Sequence, residues 1–281
     1  MNLADIYDSS IMQRALLEAV LVGALCGAVG VHVVLRRLPF LTVTVAHATF
    51  PGVVIATILG ASVLVGALGF AAVLVIAVWL TRLDERLDTS TTIGVALAGS
   101  FGLGAMLQST QPGFTRDLTA ILVGQILGVT TADIVLTAVT GSIVIAVAVL
   151  LHKELVLSAF DPTEARLQGH DRLVDLAALS MVAATVVVTV PAVGTVLAVA
   201  LMTVPAMSAR LVTRRVGPAM VAGAAYGIAA GAVGLTVSAE YDVAAGASIV
   251  LSSAALFALT VIGRAAVRAP RRRALRGAVP A

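Results

Sequence analysis

The sequence predicts an all-α, polytopic transmembrane bundle of eight or nine spans, with the N-terminus outside and the C-terminus cytoplasmic. Three observations carry this. Of 281 residues, 59% are hydrophobic and only 12% are charged, where soluble domains run near a quarter charged. The apolar runs are about 20 residues long, the length a helix needs to cross a bilayer. The basic residues gather in alternate loops, at Arg36 and Arg37, at Arg82 and Arg86, at Lys153, Arg166 and Arg172, at Arg210, Arg214 and Arg215, and from Arg264 to the end. The opposite loops hold only Arg14 and Arg116, and the positive-inside rule then fixes the orientation.

The elements follow in order. The start, MNLADIYDSS, has Asp5 and Asp8 and no base before Arg14. It lacks the basic lead of a secretory signal, so residues 12–35 read as a first span that is retained. Arg14 and Glu18, four residues apart, are expected to pair on one face of it. Hydropathy places further spans near 40–60, 61–80, 92–108, 132–151, 173–190, 192–212, 218–237 and 243–263. Only Gly60-Ala61-Ser62 separates the second from the third. The stretch 109–131 is amphiphilic, with a partial helix expected over DLTAILVGQIL. Gly23 and Gly27, and the ladder Gly223, Gly227 and Gly231, carry the small-residue spacing that lets backbones approach in lipid, as suits a tight bundle or a dimer. The one cysteine, Cys26, lies inside the first run, so no disulfide framework is expected. No polar stretch is long enough to enclose a core, and residues 1–281 read as one membrane domain.

The second span is the most legible. Pro39 restarts the chain after Arg36-Arg37, and the run that follows carries His47 and, four residues later, Pro51. A proline inside a helix lacks the N–H that would bond the carbonyl four residues back, so Pro51 frees the carbonyl of His47. In a membrane that carbonyl must find another partner. The pattern fits a Pro-kinked helix with a buried, hydrogen-bonded histidine, and it equally fits a metal-binding position. Pro205, in LMTVPAMSARLVTRR, is expected to kink its span in the same way. His32, one turn from Arg36, reads as interfacial.

Residues 152–172 form the longest internal loop on the cytoplasmic side. Asp161-Pro162 is a good helix start, and a short helix over 162–167 closed by Gly169 fits the capping asymmetry. Such a piece either docks against a partner or is a simple capped loop. His152 and His170 lie in it and read as solvent-exposed. The basic tail, 264–281, is expected to hold the last helix against anionic lipid.

Absences narrow the function. A phosphate-binding loop needs G-x-x-x-x-G-K-[ST], and the single lysine, Lys153, is followed by Glu154. ATP hydrolysis, if it drives this protein, belongs to another chain. No Ser-His-Asp spacing or HExxH motif is present, so the chain is not expected to be an enzyme or to bind a cofactor of its own. Acids inside the spans are almost absent, which argues against a proton-coupled carrier built on carboxylates. No nucleic-acid partner is implied.

Five segments resemble the permease subunits of zinc/manganese ABC transporters, the ABC-3 family: MQRALLEAVLVGALCGAVGVHVVLRR, VAHATFPGVVIA, TTIGVALAGSFGLGAMLQS, DLTAILVGQILGVTTADIVL running into HKELVLSAFDPTEARLQG, and VGTVLAVALMTVPAMSARLVTRR with the Gly-rich helix that follows it. They cover most of residues 12–262. The resemblance implies a homodimeric multi-pass permease of the cell membrane, two cytoplasmic ATPase subunits below it and an extracytoplasmic metal-binding protein above. It makes 152–172 the coupling segment, with Phe160, Asp161, Glu164, Ala165 and Gly169 at the contact, because Glu164-Ala165 followed by Gly169 is similar to the signature such permeases present to their ATPases. It makes His47 the ligand on the ion path. The chain departs from the family where an aspartate and a serine usually precede the histidine, at Val43 and Ala46, and where an acidic pair usually stands, at Thr89 and Ser90. Imidazole suits zinc and oxygen-rich sites suit manganese, so these losses tilt the expectation toward zinc, with manganese next. Thr42, Thr44, Ser90 and Thr92 are expected to add weak oxygen contacts. An importer of a metal chelate, which brings its own ligands, and a membrane scaffold without transport are the alternative readings.

Overall fold

The structure, a computed structural model, describes residues 9–82, 88–110, 124–169 and 171–276; for 171 and 268–276 it describes the backbone alone. Helix α1 spans Ser10–Leu35 and begins where the Ser9 hydroxyl accepts the Met12 N–H at 3.2 Å, satisfying one of the free donors of a helix start. Pro39 opens α2, Pro39–Ile58, at the position where its missing N–H costs nothing. Gly60, at φ 65°, turns the chain into α3, Val63–Thr81. Asp88 caps α4, Thr89–Ser109. Its carboxylate accepts the Thr91 N–H at 2.9 Å and the Thr91 hydroxyl at 3.1 Å, and these bonds hold it below the usual carboxylate range.

A 3-10 turn at Ile126–Gly128 leads to α5, Thr131–Leu150, which starts with a reciprocal capping box between Thr130 and Asp133. Then come α6, His152–Phe160, and α7, Pro162–Leu167. Helices α8, Asp171–Val193, and α9, Thr195–Val212, meet at Gly194, whose φ of 84° suits glycine. The chain ends with α10, Val216–Tyr241, and α11, Ala245–Arg276.

Among the described residues, nine helices are long and apolar enough to cross a membrane: α1 to α5 and α8 to α11. The expected spans all appear, their ends shifted by a few residues. Helices α1, α2 and α8 form the centre, with about two thirds or more of their apolar stretches buried, while α4, α5 and α11 lie outside at 17%. The two glycine ladders face each other. A Cβ on Gly23 would meet the Gly227 carbonyl, one on Gly27 the Gly223 carbonyl, and one on Gly231 the Ala19 carbonyl, so α1 and α10 touch backbone to backbone. The ladder therefore works within one chain. Gly52 and Gly66 close the α2–α3 crossing in the same way.

Three expectations change. Arg14 does not pair with Glu18: its Nε donates to the Ser10 carbonyl at 3.1 Å, while Glu18 turns inward, fully buried, and accepts the Thr137 hydroxyl at 2.7 Å. The bundle interior thus does hold an acid. His32 is not interfacial but buried, 2% exposed, with both ring nitrogens unpartnered among the described residues. The segment 152–172 is mostly helical, since α5 resumes as α6 after a break at Leu151 alone, and His152 is half-buried near Gly217 rather than solvent-exposed. Separately, helix α11 runs on through the basic residues to Arg276. The partial helix expected over 117–127 lies mostly outside the described residues, as do His170, Arg86 and Arg116.

Candidate functional site

Two regions carry the sequence-derived candidates. The first is the α2–α4 seam. His47 is half-buried on α2, and its ring meets Phe101 of α4 edge-on, with centroids 6.4 Å apart and planes at 87°. Four residues on, Pro51 sits inside the unbroken helix, buried, so the His47 carbonyl has no helical donor. Gly104 makes room there: a Cβ on it would meet the Phe50 ring and lie 3.4 Å from Pro51 Cδ. Pro205 is likewise buried inside α9.

The oxygen candidates divide. Thr44, one turn before His47 on the same face of α2, is buried, and its hydroxyl donates to the Phe40 carbonyl at 3.0 Å and reaches the Ile93 carbonyl at 3.4 Å. Thr42 is buried, with a hydroxyl that has no hydrogen-bond partner among the described residues. Ser90 is exposed and Thr92 half-buried. They precede Phe101 on α4 by about 16 and 14 Å along the axis, at 1.5 Å per residue. Within one chain, then, Thr44 shares the seam with His47, while Ser90 and Thr92 belong to the far end of α4. Val43 and Thr89 stand as half-buried side chains, without the carboxylates of the family pattern. Among the described residues no three His, Cys, Asp or Glu side chains gather into a metal-binding group.

The second region is the basic face. Asp161 caps α7 by accepting the N–H groups of Thr163 at 3.1 Å and Glu164 at 3.0 Å. Glu164 accepts the Gln168 side-chain amide at 3.2 Å. Ala165 is buried, Phe160 and Leu167 are exposed at 60% and 80%, and Gly169 turns out of the helix at φ 73°. The pair α6–α7 thus presents apolar side chains outward while Ala165 anchors it inward.

A cluster that the sequence did not single out ties this pair to the spans. Arg36, at the end of α1, donates to the Ser158 hydroxyl at 2.6 Å and the Leu155 carbonyl at 3.3 Å, both on α6. It also pairs with Asp175 of α8 at 3.2 Å, and Arg82, at the end of α3, reaches both oxygens of the same carboxylate at 2.6 and 2.7 Å. Trp79 donates its indole N–H to the Arg172 carbonyl at 3.0 Å. A cleft of about 570 Å³ opens here between Arg37, Arg82, Phe160, Ala165 and Arg172. The available signal was Asp175 itself, an acid one turn inside a span on a face otherwise rich in arginine.

Comparison with known proteins agrees with this architecture. A family model described as the ABC 3 transport family matches residues 8–264. The chain is 34% identical over 263 residues to the manganese transport system membrane protein MntC of Halalkalibacterium halodurans, covering 92% of this chain and 90% of that protein. It is 32% identical over 258 residues to the manganese import system permease protein ScaB of Streptococcus gordonii, covering 90% and 91%. Among solved structures it is similar to PsaBC from Streptococcus pneumoniae in complex with Fab, with a TM-score of 0.77 and 29% identity over 92% of this chain and 94% of that one.

Proposed function

Because the chain belongs to the ABC 3 transport family, we propose that it is the membrane permease of an ABC importer for a divalent metal ion, with manganese the favoured cargo. The observation that carries the metal reading is His47, held on α2 beside Phe101 with its own carbonyl released by Pro51. The names of the two relatives support manganese. The expectation of zinc rested on missing carboxylates near His47. The buried Glu18 on α1 does not restore them at His47, but it gives the bundle interior an oxygen donor, and oxygen donors suit manganese.

The working unit on this reading is a homodimer. Helix α4 buries only Ile93, Ser100 and Gly104, and Gly99 and Gly102 open onto free space. A second copy on this face would flank the imidazole with its own and supply a second metal ligand. The ATPase is a separate subunit on the basic face, against Phe160, Asp161, Glu164, Ala165 and Gly169, and a metal-binding protein delivers the ion at the opposite face. Movement of α6–α7 would pass through Arg36, Asp175 and Arg82 to α1, α8 and α3. The test is ATP-driven uptake by the permease reconstituted with its ATPase, with manganese, zinc and an iron chelate offered separately. Uptake of manganese supports the reading. Uptake of the chelate alone, or of nothing, contradicts it.

A further inference from the structure

We infer that the cavity between α1, α2, α3, α5 and α8 is a site for a hard divalent cation, anchored by the Glu18 carboxylate and separate from His47. The choice of Mn²⁺ as its occupant rests on the metal-permease reading above; the site itself rests on the geometry. The cavity encloses about 520 Å³ and is lined by Glu18, Thr49, Gln125, Asp133, Val187 and Pro191, with apolar side chains between them.

Glu18 has no exposed surface. Its Oε1 accepts the Thr137 hydroxyl at 2.7 Å, and its Oε2 is buried beside the cavity with no partner among the described residues. A carboxylate taken out of water needs a counter-charge or a proton. The ion pairs Arg36–Asp175 and Arg82–Asp175 lie at the other end of the bundle, and Arg14 turns to Ser10. An acid placed this way inside a span marks an ion or proton position.

The remaining lining supplies neutral oxygen. Pro191 sits inside α8 and has no N–H for the carbonyl four residues back, which is that of Val187, on the same cavity wall. Thr49 donates its hydrogen to the Ala46 carbonyl at 2.7 Å and keeps its oxygen lone pairs for another donor or a cation. Asp133 accepts the Thr130 N–H and hydroxyl through Oδ2. Among the described residues the cavity is lined by no histidine, cysteine or methionine, so the donor set favours an oxygen-seeking ion such as Mn²⁺ over zinc. The space leaves room for waters that complete the coordination, as hard cations commonly keep them. Thr49 is two residues from His47 but about 200° around the helix, at roughly 100° per residue. The imidazole and the carboxylate therefore address different faces of α2 and do not form one ligand set.

The experiment uses the full-length permease with its ATPase in nanodiscs, stripped of metal and titrated with Mn²⁺ alone. Bound ion is read as loss of the free-Mn²⁺ resonance signal. Wild type and His47→Ala should both bind Mn²⁺ at this site. Glu18→Gln should weaken that binding by on the order of a hundredfold, and Thr137→Val, which removes the partner that orients the carboxylate, by about 10- to 100-fold. If Glu18→Gln does not assemble, Thr137→Val carries the comparison. Unchanged Mn²⁺ binding in an assembled Glu18→Gln complex, or no Mn²⁺ bound by His47→Ala, overturns the site. Uptake measured on the same wild-type complex separates the two claims. Binding at Glu18 without any metal import overturns the permease reading alone, and import with Glu18-independent binding overturns the site alone.

Discussion

The Arg36 guanidinium donates to the Ser158 hydroxyl at 2.6 Å, and through this bond the end of the first span is fastened to helix α6. The same guanidinium meets Asp175, and Asp175 meets Arg82. One carboxylate therefore gathers three spans and the helix pair of the basic face. A push on α6–α7 cannot be absorbed by that pair alone. It must move α1, α3 and α8 together, or break charge-assisted hydrogen bonds, the stronger class of such bonds.

Asp175→Asn should accordingly separate stability from coupling. The Asp175 side chain is 22% exposed and its partners 6% and 22%. The loss should lie between that of a surface pair and that of a buried one, about 2 kcal/mol. Thermal unfolding in detergent should show a modest drop, while ATP hydrolysis continues and uptake falls severalfold. Uptake at the wild-type ratio to ATP hydrolysis would mean that this carboxylate does not carry the motion.

Glu164→Arg tests the proposed docking surface. Glu164 is exposed on α7, and its N–H bonds the Asp161 cap, which the substitution leaves in place. The permease should fold and insert normally, with weakened ATPase assembly in pull-down. Normal assembly and normal uptake would move the contact elsewhere on the face.

Helix α7 was legible in the sequence because Asp161-Pro162 and Gly169 are local signals, and their caps act within a few residues. The spans were legible because length and hydropathy suffice for them. Glu18 was not. A local partner, Arg14, stood at helical spacing, whereas the real partner, Thr137, is 119 residues away. The same holds for Asp175 and its arginines. The glycine ladders announced a close approach, but spacing alone did not say that α1 and α10 would meet each other. His32 misled because nearness to Arg36 suggested an interface, while burial depends on neighbours from other helices.

Gly27→Val tests that seam. A Cβ there meets the Gly223 carbonyl and carbon, which are backbone and cannot swing aside. Overpacking of a fitted core costs about 1–3 kcal/mol, occasionally more, and this contact should reach the upper end. The variant should unfold at markedly lower temperature in detergent. An unchanged melting temperature would mean that α1 and α10 are not in backbone contact.

Membrane sidedness follows from the nine spans and the gathering of arginines at one end. Cys26 is buried and should give a silent background. A cysteine at Lys153 should react only with reagent admitted from the cytoplasm, and one at Asp242 with impermeant reagent from outside. Outside labelling at position 153 would reverse the orientation.

The central claim is that metal crosses this chain by way of the imidazole on α2, and uptake by His47→Ala tests it most directly. Proteoliposomes carrying the permease and its ATPase are offered radiolabelled manganese, and zinc in a parallel arm. The account predicts manganese uptake by wild type and its near abolition in His47→Ala, with dimer and ATPase assembly preserved. Manganese uptake by His47→Ala at the wild-type rate would contradict it.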